Sequence, residues 1–403
     1  MTTQNKSQTF SQATQLFMTF LKLGCSSFGG PTAHIGYFHR EFVEKKAWLS
    51  DSQFSQLLAI CQFLPGPASS QLGFSIGLHR LGALGAVLAF LAFTLPSALI
   101  MFALAFWLPD SSSAWGKALI SGLKIVALVV VADAVLSMSK KLCARQGTQI
   151  IAVLSLCSLL IWPFYWTQII VIIIAAGMGY CFFSPNTSDN FHTQHSICVA
   201  HSTKIGISFA LLFFTLLAIF TLLNFDNSLY FTAQTFYNAG ALVFGGGHVV
   251  LPLLENATVA NGAIDETAFI AGYGAAQAIP GPLFTFSAYL GALIPSQYPP
   301  LVTAVIAVVF IFLPGFILVI AILPLWKTLA GYSSSHKIIA GINASVVGIL
   351  AAALYDPIFT QAIFDKIDLA IAIFGFTLLT VFRLSPIYLV LWCSGIKIAL
   401  NVL

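Results

Sequence analysis

Phe28-Gly29-Gly30-Pro31 followed by Pro65-Gly66-Pro67, and Phe244-Gly245-Gly246-Gly247 followed by Pro280-Gly281-Pro282, are four glycine-proline breaks in otherwise apolar, helix-like sequence. The two pairs are spaced alike. Phe28 to Pro65 is 37 positions, Phe244 to Pro280 is 36, and a glutamine (Gln62, Gln277) stands three residues before each Pro-Gly-Pro. Matched order and spacing point to an internal duplication. In a membrane, each break leaves backbone groups that only protein, water or a bound polar ligand can satisfy. The breaks are therefore the first candidates for a binding site.

Hydrophobic residues make up 58% of the 403-residue chain and charged residues 7%, with a mean hydropathy of +0.93. A soluble domain carries about 25% charged residues, so the chain reads as an all-α polytopic membrane protein. Its net charge of +4 needs no acidic partner, because basic residues beside spans are what membrane orientation requires. No nucleic-acid binding follows from it. The polar start, Met1 to Gln12, runs into apolar sequence without a small-residue cleavage site, which argues against a cleaved signal peptide. The seven cysteines form no Cys-x-x-Cys pair and read as small buried hydrophobes.

Taken in order, a first repeat is expected over 1–182, with broken hairpins at 11–46 and 51–79 and spans from about 82 to 182. Ser50-Asp51-Ser52 caps the helix that runs to Phe63. A polar cytoplasmic linker at 183–203 and a single linking span at 204–223 precede the second repeat, 224–403. Pro96 and Pro314 fall at corresponding places in the first long span of each half, and Gly122 and Gly341 in the next. Placing the N-terminus in the cytoplasm and returning each hairpin to its own side puts Lys6, Arg40, Lys45, Lys46, Arg80, Lys140, Lys141, Arg145, Lys204, Lys327, Lys337 and Arg383 inside, twelve of seventeen basic residues. The linking span makes the second half enter from the opposite side. The expected fold is two homologous halves in inverted topology, each with two broken or re-entrant helical hairpins plus transmembrane helices, as in inverted-repeat transporters.

Half-helices that start inside a membrane present unpaired N–H groups and about half a positive charge, and so bind anions. Gly29, Gly30, Gly245, Gly246, Pro65, Gly66, Pro280 and Gly281 form the breaks, and Gln62, Ser69, Ser70, Gln277 and Thr285 lie close enough to add side-chain donors. His34 and His248 follow the two Gly-Gly breaks and could bind an anion or titrate near neutral pH. Lys124 sits mid-way along the span 114–138, where a charge costs about 2.5–3.5 kcal/mol and must face protein, water or ligand; Asn343 is its counterpart. Asp133, nine residues on, falls on the opposite helical face from Lys124 and is the coupling candidate. The alternative for the breaks and the hydroxyls beside them is a set of helix kinks and close packing, for the histidines a hydrogen-bonded structural role, for Lys124 an internal ion pair, and for Asp133 snorkelling toward the cytoplasmic end. His192, His195, Cys198 and His201 resemble a metal cluster in type and spacing but stand in the linker without a frame. No metal or other cofactor is expected, and no nucleotide-binding loop or hydrolase motif occurs.

The stretches Phe28-Gly-Gly-Pro-Thr-Ala-His-Ile35, Gln62-Phe-Leu-Pro-Gly-Pro67, Phe244-Gly-Gly-Gly-His-Val-Val-Leu-Pro252 and Gln277-Ala-Ile-Pro-Gly-Pro282 closely resemble the chromate transporter family in its long, two-half form. The resemblance implies a secondary transporter, not an enzyme, that exports chromate across the bacterial cytoplasmic (inner) membrane and gives chromate resistance. A sulfate-like or organic anion moved by an importer or exchanger of the same fold, and an anion channel, stay open. The partners expected are the chromate or sulfate-like anion and the lipid bilayer, with a homodimer left open.

Overall fold

The computed structural model describes residues 3–107, 113–162, 165–182, 203–244, 247–326 and 333–402. The glycines Gly245 and Gly246 and the histidine-rich segment of the linker lie outside the described residues. Among the described residues all regular structure is helical.

The first half consists of α1 (Thr3–Ser26), α2 (Gly30–His39), α3 (Asp51–Phe63), α4 (Ala68–Trp107), α5 (Ala114–Leu142), α6 (Gln146–Ile161) and α7 (Tyr165–Phe182). A single helix, α8 (Thr203–Leu222), follows. The second half repeats the order with α9 (Ser228–Leu242), α10 (Val250–Thr258), α11 (Glu266–Ala276), α12 (Phe286–Leu293), α13 (Pro300–Ile322), α14 (Ser333–Ala353), α15 (Lys366–Thr380) and α16 (Pro386–Val402).

Local chemistry explains the starts and stops. Ser50 and Gln53 form a reciprocal capping box at the head of α3, each side chain accepting the other's backbone N–H, at 3.2 and 3.0 Å. Asp265 caps α11 by accepting the Ala268 N–H at 3.0 Å. Where the sequence reading separates a hairpin ending at 79 from a span beginning at 82, α4 runs through, with non-helical backbone at Leu81 and Gly82 (φ 62°, ψ −151°). The two arms return on each other there, so that a Cβ on Gly77 would collide with the Gly85 backbone and one on Gly85 with Gly77.

Packing interlocks the halves. α1 lies on α4, and α9 on α13, the corresponding pair. The last hairpins are exchanged: α6 and α7 pack on α14, while α15 and α16 pack on α5. The corresponding glycines permit this exchange, because a Cβ at Gly122 would lie 2.5 Å from the Ser394 Cα and one at Gly341 would lie 3.1 Å from the Gly179 Cα. Phe74 of α4 stacks on Phe316 of α13 with ring centroids 4.3 Å apart, which carries the core across the repeat boundary.

The outer surface is apolar. Leu84, Val87, Leu91 and Leu95 of α4 and Ile207, Leu211 and Phe214 of α8 are exposed at helical spacing, a stripe suited to lipid. Five described helical stretches are long and apolar enough to cross a membrane. The chain is an all-α polytopic membrane protein built of two repeats.

Candidate functional site

The breaks meet across the repeat boundary. Gly66 donates its N–H to the Val243 carbonyl at 2.7 Å, and Gly281 donates its own to the Ser27 carbonyl at 2.9 Å. Each Pro-Gly-Pro loop of one half is thus tied to the residue that precedes the glycine break of the other. Both glycines hold matching left-handed backbone, φ 116° and 107°, which a side chain rarely adopts. Each also abuts the proline-containing span of the opposite half. A Cβ on Gly66 would lie 3.2 Å from the Gly315 Cα, and one on Gly281 would lie 2.7 Å from the Ser97 hydroxyl. The break glycines Gly29 and Gly30 have φ 98° and 71°, and they open α2 with Pro31 in its first turn.

A cavity of about 740 Å³ lies where these loops converge. It is lined by Gly29, Gly30 and Pro31 at the head of α2, and by Gly66 and Ala68 at the head of α4. Gly247 and His248 before α10, and Gly281 and Leu283 before α12, complete the four helix starts. α5 contributes Val130, Asp133, Ala134, Ser137, Met138 and Lys141, residues at helical spacing on one face. Arg383, Leu384 and Ser385 of the turn between α15 and α16, with Pro386 at the head of α16, also line the cavity. Asp133 is half-buried, while Lys141 and Arg383 are exposed, so two cations and one carboxylate face the cavity and give it a net positive charge.

Of the residues singled out in the sequence, Gly29, Gly30, Gln62, Gly66, Asp133, His248, Gln277, Gly281 and Asn343 line this cavity. The other described ones do not line it. His34 is buried (1% exposed), donates from Nε2 to the Ser27 carbonyl at 3.1 Å, and has Nδ1 3.4 Å from the Ser69 hydroxyl. It therefore braces the turn behind Gly29. Ser69 and Ser70 are buried in the first turn of α4, and Thr285 donates to the Pro282 carbonyl at 2.8 Å. Their hydroxyls point into the fold. Pro65 and Pro280 shape the loops without lining the cavity, and the Pro65 carbonyl accepts from Gln71 Nε2 at 2.8 Å.

Lys124 departs most from its expected place. It is 6% exposed and reaches Thr267 of α11 at 3.2 Å and Gln361 at 3.5 Å; Gln361 in turn donates to Glu266 at 2.8 Å. It lies in the N-terminal half of α5, far along the helix from Lys141, and does not line the cavity. Asn343, its counterpart by repeat, does line the cavity.

Lys141, Arg383 and Tyr273 were passed over in the sequence. The first two were counted only as orientation charges, although Lys141 follows Asp133 by eight residues and so shares its face. Tyr273 lies one turn before Gln277 with its hydroxyl 2.7 Å from His248 Nδ1, a pairing that only the fold reveals.

Comparison with known proteins agrees with the duplicated architecture. The profile described as chromate transporter matches residues 14–180 and again residues 232–398. The chain is 27% identical over 345 residues to the chromate transport protein of Pseudomonas aeruginosa, covering 85% of this chain and 80% of that one. It is 29% identical over 352 residues to a probable chromate transport protein of Synechococcus elongatus, covering 84% and 83%. An uncharacterized transporter of Methanocaldococcus jannaschii is 26% identical over 345 residues, covering 84% and 83%. No solved structure matches the chain. With both halves matched by the same profile, in the order and over the elements described above, this chain belongs to the chromate transporter family.

Proposed function

We propose that the chain is a multi-pass secondary active transporter of the bacterial cytoplasmic membrane, with its N-terminus cytoplasmic, that exports chromate by alternating access and so confers chromate resistance. Belonging to a family of transporters, it is not an enzyme. The observation that carries the reading is the convergence of four helix starts, two from each repeat, on one cavity of about 740 Å³. A tetrahedral dianion leaving water needs several donors at once. First-turn N–H groups supply them together with partial positive charge, and Lys141 and Arg383 at the rim draw the anion in. Half-buried Asp133 in the same cavity is the candidate for coupling to protons. Relatives from Pseudomonas aeruginosa and Synechococcus elongatus that carry chromate transport in their names support chromate as the cargo. The interlocked repeats supply two bodies that can rock about a fixed central site.

The test is anion flux in proteoliposomes of the purified full chain under defined pH and anion gradients. Saturable chromate flux that accumulates the anion against its own gradient is expected. Strictly downhill flux would make the protein a channel, and sulfate flux without chromate flux would move it to a sulfate importer or exchanger.

A further inference from the structure

Tyr273 lies on α11 beneath the second Pro-Gly-Pro loop, fully buried, with Phe286 packed edge-on against its ring at 5.7 Å. Its hydroxyl is 2.7 Å from Nδ1 of His248. A buried hydroxyl oxygen tolerates an unused lone pair, whereas a buried O–H without an acceptor costs the donor's full desolvation. Among the described residues, His248 Nδ1 is the acceptor that the hydroxyl meets. The hydroxyl therefore donates to Nδ1, and the neutral ring keeps its own proton on Nε2. Nε2 is the ring nitrogen turned away from Tyr273, and His248 lines the cavity. Gln277, one turn beyond Tyr273, lines it too, and its buried amide nitrogen sits against the Tyr273 hydroxyl oxygen, to which it can give one N–H while the second is left for the cavity. Two neutral donors thus stand together on the wall that the second repeat contributes.

The first repeat has no such arrangement. Leu58 occupies the place four residues before Gln62, and His34 donates its Nε2–H to the Ser27 carbonyl. We infer that Tyr273 is a positioning residue, holding His248 in the tautomer whose Nε2–H, beside the Gln277 amide, grips an unprotonated oxygen of the transported oxyanion. The inference rests on the cavity being the oxyanion site. Its consequence is selectivity. Fixed N–H donors satisfy a bare tetrahedral dianion such as chromate or sulfate, but they oppose the O–H that phosphate retains at neutral pH.

Chromate and competitor binding to the purified full chain, with ring-¹⁵N spectra of labelled histidine, test this. His248 should give the Nε2–H tautomer signature in the wild type and a mixture of tautomers in Tyr273→Phe. Chromate Kd should rise about tenfold in His248→Leu and about threefold in Tyr273→Phe, while His248→Gln, whose amide nitrogen reaches the place of Nε2, should keep most of the affinity. Phosphate should compete at least about tenfold less well than sulfate. Should Tyr273→Phe not fold, His248→Gln against the shorter His248→Asn decides the point, and equal affinity overturns the inference. Wild-type affinity in both Tyr273→Phe and His248→Leu overturns it as well. Phosphate competing as well as sulfate also overturns it, and would assign Asp133 as acceptor of the anion's proton. If binding changes as expected but no coupled flux occurs in proteoliposomes, this inference stands and the transport reading fails.

Discussion

Gly66 and Gly281 combine two demands that no other residue meets together. Each has left-handed φ, and each lies against the opposite half, Gly66 against backbone at Gly315 and Gly281 against the Ser97 hydroxyl. Left-handed backbone costs a side-chain-bearing residue about 1–2 kcal/mol before any clash. Gly281→Ala should therefore lower the thermal midpoint in detergent by several degrees, and Ser97→Gly should recover part of the loss by removing the hydroxyl in its way. Gly66→Ala should lose at least as much and be rescued less by trimming its nearest neighbour, Gln71, because that side chain holds the Pro65 and Gly315 carbonyls. Equal rescue in both would show that backbone strain, not contact, dominates. At this scale the four breaks were legible because glycine and proline report backbone conformation directly. His34 and His248 were not separable, since both follow a glycine break, and only their partners assign one to bracing the turn and the other to the cavity wall.

Among the elements, the joint between α2 and α3 carries a charge cluster outside the membrane-spanning segments. His39 donates to Asp51 at 2.7 Å and to Glu44 at 3.2 Å, and these carboxylates, Asp51 first, raise its pKa above the usual 6.5. A raised folded-state value means that the added stability is fully present below about pH 6.5 and fades as pH rises through the raised value. Thermal midpoints measured from pH 6 to 9 should accordingly fall less in His39→Gln than in the wild type; parallel curves would remove the pair from the pH dependence. The cap of α3 was readable from Ser50-Asp51-Ser52 because capping is local chemistry, while the reciprocal bond from Gln53 came with the structure. The Leu81–Gly82 joint was legible as a place, but the close return of Gly77 on Gly85 was not. Two glycines eight residues apart carry no mark of which surface they meet.

For the whole molecule, the decisive feature is exchange between repeats. α5 leaves its own half to carry α15 and α16, and Lys124 on it reaches Thr267 and Gln361 of the second repeat. Hydrogen bonds to a charged group contribute about 1.5–3 kcal/mol. Lys124→Ala should therefore destabilise the protein by about that amount while leaving chromate Kd within about twofold. The double variant Lys141→Ala, Arg383→Ala should instead slow chromate association and flatten its dependence on ionic strength, because those charges face the cavity rim. Loss of binding in Lys124→Ala would return that lysine to the site. Sequence alone determined what is local or repeated: the membrane class from composition, the duplication from matched breaks, and the helix starts from caps and prolines. Tertiary structure decided which repeat supplies each wall, that Asn343 meets the cavity and Lys124 does not, and that Tyr273 meets His248. The physical reason is that a helix has several apolar faces of similar composition. Which one turns toward a polar cavity depends on the partner packed behind it, and here that partner comes from the other half of the chain.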